Sequence, residues 1–147
     1  MNIGVTIHID KENKGVFSNG IIQNAIYLVK VFRQLGHNAY LLNNVDKEVI
    51  SAPYQDKVAW DVEEIPIYDW VDKFKETTIL IFVGSVYLDS DIKIFKNLHE
   101  DNRVIHYIAG NKYVIDMEGA LFDLDNRTPS YSKLVDELWL IPQHWNT

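Results

Sequence analysis

Four stretches of the chain are almost continuously apolar: NIGVTIHI (2–9), NAYLLNN (38–44), TTILIFVG (77–84) and RVIHYIAG (103–110). DELWLIP (136–142) is a fifth of the same kind. A strand wetted on one face alternates apolar with polar residues, whereas a strand covered on both faces need not. These runs therefore predict buried strands of a mostly parallel sheet. Between them the period changes. Ile22, Ala25, Ile26, Val29 and Phe32 recur at helical spacing, which predicts a helix over 19–35 closed by Gly36 in the C′ position. A second helix is predicted over 89–99, capped by Asp89 or Ser90, with Ile92, Phe95 and Leu98 inward. A third fits 112–122. The stretch 45–76, with Pro53 and Pro66, reads as a loop, a short strand near 62–67 and a short helix over 68–75. Strands alternating with helices require right-handed crossovers, so the fold class is α/β, an open Rossmann-like sheet with helices on both faces.

At 147 residues with 47% hydrophobic side chains, the chain can form one Rossmann-like domain with a sizeable core. Its net charge of −7 argues against a nucleic-acid partner. The apolar runs are too short for a membrane span. The N-terminus shows no secretory signal. The absence of cysteine excludes disulfide and thiolate chemistry and suits a cytoplasmic protein.

Ligands of such folds sit beyond the carboxyl ends of the strands. The loop HIDKENKGVFSNG (8–20) follows the first strand. Gly15 and Gly20 allow close backbone approach, and Ser18 or Asn19 can cap the helix whose free amides attract anions. The loop is neither G-x-G-x-x-G nor a P-loop, so Ser18-Asn19-Gly20 serves equally well as a plain helix cap. Asn24, one turn into an apolar helix, calls for a polar partner. Gly84 and Ser85 end another strand, where a simple turn explains Ser85. His106 lies inside an apolar strand and is either a core histidine or an assisting catalytic group. Gly110 and Asn111 follow at that strand's carboxyl end, and Gln143 and His144 follow the fifth strand. The five histidines form no close pair, and DLDN (123–126) lacks the glycine and distant glutamate of a calcium loop, so no metal is expected. No cofactor is expected either.

The Gly-rich turn, the long helix and LGHNAYLL resemble the start of the N-terminal Rossmann domain of GT-B glycosyltransferases. NIGVTIHI, SNGIIQNAIYLVKVF, VIHYIAGNKYV and DELWLIPQH together resemble an uncharacterised bacterial and phage glycosyltransferase-like family, catalogued as a domain of unknown function. The likeness spans nearly the whole chain. It implies the acceptor-side half of a sugar transferase, with a nucleotide-sugar donor, an unknown acceptor and a second domain that completes the cleft. It also implies that 1–147 lacks the final elements of its own unit, and that the isolated chain does not turn over. Gly15, Ser18, Asn19, Gly20, Asn24, Gly84, Gly110 and Asn111 would line the cleft, with His106 as the possible catalytic group. A competing reading is a stand-alone module that binds a small phosphorylated ligand or a protein partner. Tyr54, Trp60, Tyr68, Trp70 and Trp145 either pack loops or form a homo-oligomer interface.

Overall fold

The computed structural model describes residues 1–7, 20–43, 65–83, 89–108 and 133–140. Among the described residues, six strands form one sheet: β1 (Asn2–Ile7), β2 (Asn38–Asn43), β3 (Ile67–Asp69), β4 (Ile79–Val83), β5 (Arg103–Ile108) and β6 (Glu137–Leu140). The described helices are α1 (Gly20–Gln34), α2 (Trp70–Lys73) and α3 (Asp89–Leu98). Every pairing is parallel and the order is β3-β2-β1-β4-β5-β6. This is the expected Rossmann-like arrangement. The chain walks outward from β1 to β3, then restarts beside β1 and walks the other way. Right-handed crossovers in opposite directions place their helices on opposite faces.

The core follows from that reversal. Ile3, Val5 and Ile7 of β1 join Ala39, Leu41, Ile81, Val83 and Ile105 beneath Ile22, Ala25, Ile26 and Val29 of α1. On the other face Tyr40, Leu42, Leu80, Phe82 and Val104 meet Phe74, Ile92 and Phe95. Strand alternation sorts each apolar run between the two layers, which is why the runs need no polar partner positions. Phe32 and Leu98 are half-buried and pack at the margins of these layers.

Local chemistry sets the element ends. Gly36 has φ of 83°, and its amide and that of His37 donate to the carbonyls of Arg33 and Phe32, each at 3.0 Å. That is a Schellman closure of α1, and it needs a residue without a Cβ at C′. Asp89 and Asp91 lie in the first turn of α3, where the helix dipole favours negative charge. At the other end, Asn102 Nδ2 donates to Phe95 O at 2.8 Å.

The structure differs from the sequence expectations in three places. β3 and α2 lie at 67–69 and 70–73, shifted from 62–67 and 68–75. Tyr68 pairs with Leu42 in the ladder and meets Tyr40 edge-on at 5.4 Å, which draws it into the strand. Thr77 and Thr78 precede β4 rather than belong to it. The Thr77 amide donates to Lys73 O and Phe74 O, and its hydroxyl donates to Lys73 O at 2.8 Å, so it closes the α2 turn. Last, β6 is not buried on both faces: it is the outermost strand, with Leu138 51% and Leu140 38% exposed. The helix expected over 112–122 lies outside the described residues.

Candidate functional site

The parallel sheet gathers all six carboxyl strand ends, Ile7, Asn43, Asp69, Val83, Ile108 and Leu140, along one rim. The strand order reverses between β1 and β4, the position where open α/β sheets hold ligands. α1 joins two parallel strands and so runs back against them, which brings Gly20 to the same rim. Ile108 lies two strands from Ile7, about 10 Å at the usual strand spacing.

Polar groups are buried near this rim. Asn43 ends β2, buried, in register with Ile7 and Asp69. Thr6 is 2% exposed, and its Oγ1 accepts the Val83 amide at 3.3 Å. Neither Asn43 nor Thr6 stood out in sequence. Asn43 does carry a signal, a carboxamide closing an apolar run, whereas Thr6 reads only as a β-branched strand residue.

Gly20 is the exposed first residue of α1, and a Cβ there would meet no atom within 4 Å. Among the described residues, no neighbour requires glycine there. The first turn of α1 holds no acidic residue, so the positive helix pole is not neutralised from within the helix. Asn24 is half-buried one turn further on. His106 is 2% exposed and shares its face with Val104 and Ile108. Its neighbours in register are Phe82 and Leu138, so it lies within the layer of α2 and α3, two residues short of the rim. That placement suits a core histidine. Gly15, Ser18, Asn19, Gly84, Gly110 and Asn111 lie outside the described residues, as do Ser85, Gln143 and His144. Of the candidate lining, the rim therefore holds Gly20, with Asn24 one turn behind it.

Further polar clusters involve β2, β3, α2 and α3. Tyr40 OH and Thr77 Oγ1 share a hydrogen bond of 2.8 Å, and burial pushes the Tyr40 phenol above its ordinary value. Lys73 Nζ lies over the Tyr68 ring at 4.5 Å and bonds Glu76 at 2.6 Å, which raises the lysine pKa. Lys96 Nζ reaches Asp136 Oδ1 at 2.6 Å, while Asp136 Oδ2 accepts the Val104 amide at 2.8 Å. Partial burial opposes the Asp136 charge, but the Lys96 and Val104 bonds outweigh it and hold the carboxyl below its ordinary range.

Among the described residues, no three His, Cys, Asp or Glu side chains are grouped to hold a metal, and no helix is long and apolar enough to cross a membrane. Two of the five loop-region aromatics are placed: Tyr68 and Trp70 are half-buried against the core, with Trp70 edge-on to Phe74 at 4.7 Å. Tyr54, Trp60 and Trp145 lie outside the described residues.

A family model described as "Protein of unknown function (DUF2827)" matches residues 3–147. The chain belongs to that family. DUF2827 membership carries no statement of activity. No curated protein and no solved structure matches the chain.

Proposed function

We propose that this DUF2827 chain is the acceptor-side, N-terminal half of a GT-B-type sugar transferase, its cleft completed by a second domain. The observation that carries this reading is the all-parallel order β3-β2-β1-β4-β5-β6, with α1 starting at the reversal point. Sugar transfer of this type needs a rim of small residues that admits an acceptor and the diphosphate of a donor, held between two such sheets. In this reading Gly15, Ser18, Asn19, Gly20, Gly110 and Asn111, which follow β1 and β5 in the sequence, line that rim. His106, buried two residues back, supports the rim from beneath rather than meeting substrate. The test is nucleotide release from UDP-, GDP- and dTDP-sugars, by the isolated chain and by the chain joined to any domain encoded downstream. The isolated chain is expected to be silent and the joined form active. Turnover by the isolated chain, or silence of the joined form with every donor, would contradict the proposal.

One observation favours a second reading, a binding module for a small phosphorylated ligand. The first turn of α1 carries no carboxylate, and a phosphate group could occupy that pole. A thermal-shift series with nucleotides and sugar phosphates separates the two: strong stabilisation by one phosphorylated compound, without turnover in any joined form, selects the module.

A further inference from the structure

We infer that the Thr6 hydroxyl ends the β1–β4 ladder and holds those two strands apart at the point where the strand order reverses. The register between them runs Ile3↔Ile79, Gly4↔Leu80 and Val5↔Ile81 and stops there. Yet β1 continues to Ile7 and β4 to Val83, and on their outer sides both stay paired, Ile7↔Asn43 with β2 and Val83↔Tyr107 with β5. Among the described residues, the gap is therefore confined to the junction where the strand order reverses.

Successive residues of a strand direct their amides to opposite neighbours. The Asn38 amide donates to Met1 O, so the odd-numbered residues of β1 face β2 and Gly4 and Thr6 face β4; with Ile3↔Ile79 and Val5↔Ile81 in register, the amides of Ile79, Ile81 and Val83 face β1. The next rung would run from the Val83 amide to the Thr6 carbonyl. It runs instead to Thr6 Oγ1, at 3.3 Å and in the buried interior. A buried amide left without an acceptor costs about 1–3 kcal/mol. The hydroxyl removes that penalty while keeping the backbones one side chain further apart. Valine, closest to threonine in shape, cannot do this. Thr6 is thus a positioning residue: it fixes how far apart the chain leaves the sheet after Ile7 and after Val83. Its bearing on a ligand rests on the crevice reading above, but the bond itself does not.

The test is NMR of the intact chain, which separates a failure of this inference from a failure of the sugar-transfer reading because no ligand enters. In the wild type, through-hydrogen-bond coupling is expected from the Ile81 amide to the Gly4 carbonyl and not from the Val83 amide to the Thr6 carbonyl. Coupling between Val83 and the Thr6 carbonyl would overturn the inference without any variant. In Thr6→Val, the Val83 amide should either exchange about tenfold faster relative to Ile81, or gain that coupling as the strands close by one rung. Thr6→Ser should restore the wild-type ratio. An unchanged Val83-to-Ile81 ratio in Thr6→Val with no new coupling would also overturn it.

Discussion

The two edges of the sheet are built differently. At the amino edge, side chains cross-link neighbouring elements. Thr78 Oγ1 accepts the Asn2 amide at 3.1 Å and donates to the Asn2 carbonyl at 2.8 Å. Asn2 Nδ2 reaches Glu76 O, Asn38 Nδ2 reaches Asn2 Oδ1, Tyr40 meets Thr77, and Asp136 pins β6 to β5. At the carboxyl rim, Thr6 Oγ1 accepts the Val83 amide at the point where the β1–β4 register stops. Open α/β sheets hold their ligands beyond the carboxyl ends of the strands.

The contrast breaks most readily at Gly4. A Cβ there would run into Leu42 Cδ1 and come within 3.3 Å of Thr77 Cγ2, and Leu42 is fully buried, so its side chain has no room to swing away. Gly4→Ala should lower stability by about 2–3 kcal/mol in chemical denaturation, and a loss under about 0.5 kcal/mol would show that this packing is not tight. Tyr40→Phe should cost about 1–1.5 kcal/mol, because Thr77 loses a buried partner. Burial raises the phenol above its ordinary 10.0, so the folded state favours the neutral form. The Tyr40 contribution should therefore be fully present below pH 10 and be lost as pH rises beyond it, so Tyr40→Phe should show a smaller alkaline fall than the wild type.

Asp136→Asn sharpens the comparison at smaller scale. The Lys96–Asp136 pair is about a quarter to a third exposed, which limits its contribution to about 0.5–1 kcal/mol. Because the folded carboxyl titrates below 3.8, that contribution is present above pH 3.8 and disappears on further acidification. Acid titration of the wild type should show the loss, and Asp136→Asn should lose less stability across the same range. The smallest effect belongs to the rim. Gly20→Ala should change stability by less than about 0.5 kcal/mol, since an added Cβ would meet no described residue within 4 Å and alanine suits a helix.

Much of this fold was legible from patterning. The apolar runs located five strands because a doubly covered sheet demands unbroken hydrophobicity. Ile22, Ala25, Ile26, Val29 and Gly36 located α1 because one helix face and one left-handed closure suffice to define it. β3 was misplaced by a few residues, since three half-buried residues carry no period and owe their strand form to backbone pairing with β2. Thr77 and Thr78 have strand propensity, but the α2 turn claims the first and Asn2 the second. The exposure of Leu138 and Leu140 depends on β6 being outermost, which composition cannot show. The candidate site was legible as a rim and not as a set of contacts: Gly20 lies where chain order puts it, while Thr6 owes its role to the register of a strand that follows it by more than seventy positions.

The most direct test is NMR shift mapping of the isolated chain with UDP-glucose and, separately, glucose 1-phosphate, at millimolar concentration. Perturbations are expected at Thr6, Ile7, Gly20, Val83 and Ile108. Shifts gathered instead at Asn2, Asn38, Thr78 and Asn102, or none at any rim amide with either compound, would contradict a ligand site at the carboxyl rim.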